Sequence, residues 1–308
     1  MTKQIFIDII KNHGKEGKAV KKSGIIKLIL AAISGAAAAS AALRCIYELG
    51  HPKITRYRIK NSKITEGNGI RSAFISDLHG RIYGENNSRL LEMIRKEKPD
   101  VILAGGDLIV SKIPKYDKVA LEFLKEAARI APVYMAPGNH EKGMESLNMF
   151  KNRNAAFHER LEEMGVCYLS NEGADINESI SVTGLDADYE CYGKIHPKKL
   201  NEEAVLDLIG RCDRSRFNIL LAHNPGFFEK CLANAPDLVL SGHYHGGAIR
   251  LPKIGGVISP QFRLFPKYSR GMFKKQGSTL IVSAGCGSHT INLRLFNRPE
   301  VVIIDICS

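Results

Sequence analysis

No two of the seven cysteines form a C-x-x-C pair: Cys45, Cys167, Cys191, Cys212, Cys231, Cys286 and Cys307 are scattered and odd in number. That spacing argues against a structural zinc site and a dense disulfide framework, and leaves most of the thiols as small buried hydrophobes, a weak pointer to a reducing environment. Long apolar runs are equally scarce. Only residues 25–43 could span a bilayer, which excludes a polytopic membrane protein. The 308 residues carry no internal repeat or low-complexity block, and 44% hydrophobic with 25% charged residues is a globular composition, not a disordered or collagen-like one. Acids are the deficient charge class, with 32 Asp and Glu against 44 Lys and Arg for a net charge of +12. Residues 1–27 hold seven lysines and two acids, so +7 remains elsewhere. A basic surface attracts nucleic acid, anionic lipid or phosphorylated substrates alike.

Residues 25–43, IIKLILAAISGAAAASAAL, follow the basic stretch KEGKAVKK and at ~1.5 Å per residue are just long enough to cross a bilayer core. Three readings compete: an uncleaved signal anchor, a secretory signal cleaved near Ala39, Ser40 and Ala41, or an Ala-rich soluble helix. The anchor is favoured, because the apolar stretch exceeds a signal peptide's usual ~7 to 15 residues. Orientation is not decided by charge: six lysines precede residue 25, and Arg44, Lys53, Arg56, Arg58, Lys60 and Lys63 follow the run. Arg44 before Cys45 rules out a lipoprotein signal, and no twin-arginine pair precedes the run. The expected organisation is a basic segment over 1–24, a transmembrane or anchor helix over 25–45, a linker and first strand region over 46–69, and one catalytic domain over 70–308.

From residue 70 onward, short strand-like apolar runs alternate with amphipathic stretches over 86–97, 117–129, 144–164 and 199–210, an α/β pattern. The runs end alike. AFIS leads into Asp77, VILAGG into Asp107, VYMAPG into Asn139, NILLA into His223 and LVLSG into His243. Open α/β sheets bind ligands beyond the carboxyl ends of their strands, so neighbouring strands would bring these five endings to one rim.

The motifs there are D-L-H (Asp77, His79), G-G-D (Asp107), G-N-H-E (Asn139, His140, Glu141), A-H-N-P (His223) and G-H-Y-H (His243, His245). Carboxylate, amide oxygen and imidazole without thiolate suit Mn, Fe, Zn or Co better than Ca or Mg, and there are enough donors for two ions. In D-x-H and H-x-H an extended backbone would point both side chains into one cavity. Taken singly, each residue also has a plainer reading: a lone histidine is commonly a satisfied core or surface residue, and an aspartate after a strand is commonly a helix N-cap.

As an ordered set, these endings resemble the calcineurin-like metallophosphoesterase superfamily, over about residues 70–306. The resemblance implies an α/β fold, a four-layer α-β-β-α sandwich of the metallophosphoesterase type, here behind an N-terminal transmembrane helix. It implies that Asp77, His79 and His245 bind a first metal, that Asp107 bridges, and that Asn139, His223 and His243 complete a second site. His140 takes the place of the catalytic histidine beside the leaving-group oxygen, with hydrogen-bond support of a metal ligand as its alternative role, and Glu141 stands where an acid helps orient the site. The implied cofactors are two divalent transition-metal ions, manganese first, then iron, zinc or cobalt. A hydroxide held between ions about 3.5–4 Å apart would be ionised near neutral pH and attack phosphorus.

Leu108-Ile109-Val110 after Asp107, and Pro137-Gly138 before Asn139, disfavour a Ser/Thr protein phosphatase. LFPKYSRGMF, SAGCGSHTINLRLFNRPEV and the apolar N-terminal run are closer to bacterial membrane-associated phosphoesterases, the branch with UDP-diacylglucosamine pyrophosphatase-like enzymes. Ala284-Gly285-Cys286-Gly287 departs from that branch and puts substrate contacts there in doubt. Between Phe262 and Lys275 four aromatics interleave with five cations. The stretch reads as a substrate lip near a membrane, a nucleic-acid contact or a solvated hairpin. The expectation is therefore a single-pass membrane protein whose catalytic domain, more in keeping with that branch, is extracytoplasmic. It would hydrolyse a phosphomonoester, phosphodiester or pyrophosphate bond in a phosphorylated small-molecule or lipid-linked substrate, with nucleic acid disfavoured. A non-catalytic metal-containing scaffold and a nuclease of the same superfamily are the alternatives.

Overall fold

The computed structural model describes residues 2–193, 196–247, 249–251, 254–259, 263–288 and 292–308, with side chains from residue 25 onward. The basic side chains of residues 1–24, Phe262 of the aromatic and basic stretch, and residues 289–291 of the motif near the C-terminus lie outside the described residues. The chain divides into two compact units, Met1–Tyr47 and Glu48–Ser308.

Helix α1 runs from Thr2 to Gly50. Its alanine-rich middle favours helix, and Gly50 and Pro52 end it, since proline disfavours helical geometry in the residue before it. Within it Ile25–Gly50 is long and apolar enough to cross a membrane, and none of its most apolar window is buried.

The second unit alternates short strands with helices. In chain order these are β1 (Lys53–Lys60), β2 (Ile70–Ile75), α2 (Ser88–Glu97), β3 (Val101–Ala104), α3 (Lys115–Ala128), β4 (Val133–Met135), α4 (Asn139–Ser146), α5 (Lys151–Glu163), β5 (Cys167–Tyr168), β6 (Gly173–Asp175) and β7 (Ile180–Leu185). Then come α6 (Glu202–Ile209), β8 (Phe217–Ala222), α7 (Phe228–Cys231), β9 (Leu238–Ser241), β10 (Arg250–Leu251), β11 (Gly255–Gly256), β12 (Gly271–Lys275), β13 (Ser278–Val282) and β14 (Glu300–Cys307). One six-stranded sheet has the order β1-β14-β2-β3-β4-β5, a second has β12-β13-β9-β8-β7-β6, and β10 and β11 pair separately. Strands β2 to β5 are mutually parallel, as are β7, β8, β9 and β13.

Side-chain alternation along each strand sorts residues between layers. Phe74, Leu103, Val302 and Ile304 of the first sheet meet Val182, Ile219, Leu221 and Leu240 of the second in a core between the sheets. On the outer face of the first sheet, Ala73, Ile75, Ile102 and Ala104 pack against Leu90, Ile94, Phe123 and Leu161 of the helices. Outside the second sheet, Leu220, Ala222 and Val239 pack with Phe228 and Cys231. The result is four layers, helix, sheet, sheet and helix.

Two expected helices differ in detail. The stretch over 144–164 is two helices, because Leu147 adopts an extended backbone between α4 and α5, and α4 begins earlier, at Asn139. The helix expected over 199–210 is the shorter α6, which starts where the Asn201 side chain accepts the Ala204 N–H and stops at Gly210, whose φ is positive.

Candidate metal centre

The parallel strands of both sheets bring their carboxyl ends to one rim. Asp77 and His79 follow β2, Asp107 follows β3, and Asn139 and His140 open α4 after β4. His223 follows β8, and His243 and His245 follow β9. Donor atoms of Asp77, His79 and His245 lie within 4.8 Å of one another, as do those of His79, Asp107 and His140, and those of Asp107, His223 and His243. All seven histidines and aspartates named by the sequence motifs thus gather in overlapping triads. Asn139 begins the helix that carries His140 beside them.

The pairs two residues apart do not converge through an extended strand, as the spacing suggests. Asp77, His79, Asp107, His243 and His245 all have φ between 47° and 62°, the left-handed region that costs a non-glycine residue about 1–3 kcal/mol. Each chain segment coils tightly after its strand and turns the side chain inward. The close approach leaves no room elsewhere: a Cβ on Gly242 would stand 2.1 Å from Asp77 Oδ2.

Hydrogen bonds fix the rings. His79 Nδ1 faces the Ile109 carbonyl at 3.3 Å, His223 Nδ1 faces Gly105 O at 2.6 Å, and His245 Nδ1 faces Gly287 O at 3.2 Å. A carbonyl only accepts, so in the neutral rings each Nδ1 carries the proton and each Nε2 presents a lone pair to the centre, where those of His79 and His245 face each other at 3.3 Å. His140 is the reverse. Its Nδ1 accepts the Ser111 N–H at 3.2 Å, so in the neutral ring the proton sits on Nε2.

Among the carboxylates, Asp77 accepts the His243 N–H at 3.0 and 3.1 Å, and Asp107 Oδ1 accepts the His140 N–H at 2.8 Å. Asp107 Oδ2 lies 3.2 Å from His223 Nε2 and 3.8 Å from His79 Nε2. Behind them, buried Glu141 accepts the N–H groups of Asp107, Gly138 and Leu108 at 2.8, 3.0 and 2.9 Å and so fixes the loop that carries Asp107. Burial and the adjacent Asp107 push Glu141 up to about 7, against the pull of those donors.

Electrostatically the cup asks for cations. Burial alone would raise Asp107, yet the His223, His140 and His79 rings hold its carboxyl well below the usual carboxylate range. Burial opposes a charged His223 ring too, but Asp107 and Asp77 pull it up to about 10. Burial and the neighbouring His223 push His243 well down, and burial lowers His245, so both stay neutral. Asn139 Oδ1, His223 Nε2 and His243 Nε2 are buried without a hydrogen-bond partner, the 3.2 Å approach of His223 to Asp107 lacking hydrogen-bond alignment. Unpaired lone pairs beside two carboxylates fit divalent cations: these would neutralise the acids and leave His223 neutral to ligate.

Several contributors had no visible signal in the sequence. Ser111 sets the His140 ring through backbone and hydroxyl contacts, the latter also at 3.2 Å. Tyr192 packs edge-on to His243, with ring centroids 5.7 Å apart. Asp186 did have a signal, since it follows β7 as the candidate ligands follow their strands. Its carboxylate takes the Lys142 ammonium at 3.0 Å and the Ser170 hydroxyl at 2.7 Å, tying α4 to the second sheet.

Comparisons with known proteins agree with this geometry. The calcineurin-like phosphoesterase family profile matches residues 70–247. A metallophosphoesterase of Aquifex aeolicus is 29% identical over 258 residues, 82% of this chain and 91% of that protein. The phosphodiesterase YaeI of Escherichia coli is 26% identical over 238 residues, 76% of this chain and 80% of that protein. A transmembrane protein with a metallophosphoesterase domain from Danio rerio is 28% identical over 267 residues, 82% of this chain and 57% of that protein. Among the described residues of this chain, the segment Ile25–Gly50 alone is long and apolar enough to cross a membrane. Because the family profile covers more than half of its length, the chain belongs to the calcineurin-like phosphoesterases and is a metal-dependent hydrolase.

Proposed function

We propose that the chain hydrolyses a phosphoric ester or pyrophosphate bond of a membrane-associated or envelope metabolite, using two divalent cations. Asp77, His79 and His245 hold one, Asn139, His223 and His243 hold the other, and Asp107 is shared. Manganese is the favoured metal for this oxygen and imidazole set. The observation that carries the reading is that the triads Asp77–His79–His245 and Asp107–His223–His243 are linked through a third, His79–Asp107–His140, while Asn139 Oδ1 and His243 Nε2 are buried there without a hydrogen-bond partner.

When bound, the cation pair supplies an activated water and neutralises phosphoryl oxygens. The protein's own groups do the rest. Ser111 holds the His140 ring so that Nε2–H is the available donor for a departing oxygen, a role typically worth ~10² to 10⁴ in rate. The His243 N–H fixes Asp77, and Glu141 fixes the Asp107 loop, so the ligands are positioned before substrate arrives. The apolar helix supports a single-pass anchor over 25–45 with the catalytic domain over 70–308. An extracytoplasmic location and the UDP-diacylglucosamine pyrophosphatase-like branch are supported by LFPKYSRGMF, the C-terminal motif and the apolar N-terminal run.

The test is turnover of bis-nitrophenyl phosphate by detergent-solubilised, manganese-loaded full chain beside Asp107→Ala, with metal counted per chain. About two ions in the parent, and at least ~100-fold lower kcat with metal loss in the variant, are expected. Equal turnover removes the proposal, and a metal-free parent that still binds phosphate esters favours a non-catalytic scaffold.

A further inference from the structure

A second cleft, of about 550 Å³, opens between the β10–β11 hairpin and the segment Phe265–Arg270, with Phe296 on its wall. Its lining is of two kinds. Leu251, Ile254, Phe265 and Phe296 are apolar, and Ile254, Phe265 and the neighbouring Leu264 are each more than half exposed. Arg250, Lys267 and Arg270 supply cationic groups, and no carboxylate stands among the lining residues. Solvent-exposed apolar side chains grouped in this way mark a contact surface.

The positive charge is incompletely answered. Arg270 pairs with Glu300 at 2.5 Å, Lys53 lies 3.8 Å from the same carboxylate, and Arg250 donates to Gly246 O at 2.9 Å and the Ser269 hydroxyl at 3.3 Å with no carboxylate partner among its described contacts. Two cations thus share one buried acid, whose oxygens also take the Thr55 hydroxyl and the Ala284 N–H. Burial and the adjacent Arg270 push the Arg250 guanidinium and the Lys53 ammonium down from their ordinary values. An anion placed here would lower that cost. Lys267 is 70% exposed although paired to Glu229, and Arg263 beside Leu264 is exposed.

The cleft is also tied to the chain where it leaves the apolar helix. Next to Phe296, the Asn297 N–H donates to Glu48 at 2.7 Å, and Arg298 donates to the carbonyls of His51 and Pro52 at 2.8 and 3.1 Å. Glu48 lies in the last turn of the segment Ile25–Gly50.

From these contacts we infer that the cleft docks on the membrane and holds an anionic phospholipid, with the phosphate against Arg250, Lys267 and Arg270 and the acyl chain against Ile254, Phe265 and Phe296. The inference rests on the membrane reading of the helix and not on the identity of the substrate. Because Arg250 also donates to Gly246 O at 2.9 Å, next to His245, the docked lipid borders the metal centre.

The chain has no tryptophan, so one introduced residue reports its own surroundings. Full-length Phe265→Trp is placed in phosphatidylcholine nanodiscs with or without phosphatidylglycerol, with plain or brominated acyl chains. Ile254→Trp is a second reporter, and Met149→Trp, on a remote exposed turn, is the control. Quenching of the Phe265 and Ile254 reporters by about twofold in brominated anionic discs is expected, lost in high salt, with Met149→Trp unquenched. Adding Arg263→Gln and Lys267→Gln should reduce the docked population about fivefold per cation removed. Quenching that is absent, or equal at Met149→Trp, overturns the inference. Co-elution of protein with discs and turnover of bis-nitrophenyl phosphate are recorded on the same samples. Failure of docking is thereby separated from failure of the anchor or of the catalytic reading.

Discussion

Proton placement separates the histidines of the centre. His79, His223 and His245 give their Nδ1 protons to backbone carbonyls and turn Nε2 lone pairs inward, while His140 accepts from Ser111 and keeps its proton on Nε2. A lone pair suits a ligand, and an N–H suits a donor to a leaving group. His140→Asn is therefore expected to retain about two ions per chain while losing ~10² to 10⁴ in kcat on an alkyl phosphate ester, and much less on a nitrophenyl ester whose leaving group needs no proton. Metal analysis with the two substrates checks this; proportional loss of ions and turnover would make His140 a ligand instead. The candidate ligands were legible in the sequence because the apolar runs end at or just before them. The tautomers were not, since they depend on carbonyls of Ile109, Gly105 and Gly287 that only folding brings near.

At the scale of elements, strands were readable where every residue is buried, as in FNILLA and LVLS, whose apolar runs end at His223 and precede His243. Helix limits were less so: no proline or glycine marks the break at Leu147, which depends on how α4 and α5 each pack. The loop after β13 is the clearest case of structure without a local signal. Arg294 is fully buried and donates to the carbonyls of Ala284 and Gly287 and, at 3.2 Å, of Asn297, and the loop it organises passes the Cys286 N–H to Ser76 O at 2.9 Å directly behind Asp77. A planar guanidinium serves several carbonyls at once, and an ammonium cannot. Arg294→Lys is expected to cost about 3 kcal/mol and to lower the denaturant midpoint, with weaker metal retention as Asp77 loses its backing. An unchanged midpoint would show that the loop holds itself.

The whole molecule is divided at its metal centre. Asp77, His79, Asp107 and Asn139 come from the first sheet, and His223, His243 and His245 from the second, so cations held as proposed would bridge the two halves of the sandwich. The sheets already share an apolar core of Phe74, Leu103, Ile219 and Leu240, which keeps the fold intact without the bridge. The rim is different, because two buried carboxylates and one ring pulled toward its charged form meet there among strained backbones. Ligation by the folded state alone adds ~4 kcal/mol when free metal exceeds Kd about a thousandfold. For a domain of this size that amounts to a rise in Tm of about 10 °C. Chelation should therefore lower the single unfolding transition of the Glu48–Ser308 unit by that amount, and excess manganese should restore it, whereas the Asp107→Ala chain should respond weakly to both. Calorimetry on parent and variant with and without chelator decides the matter: a Tm indifferent to chelator would mean that the two sheets are not joined through these side chains.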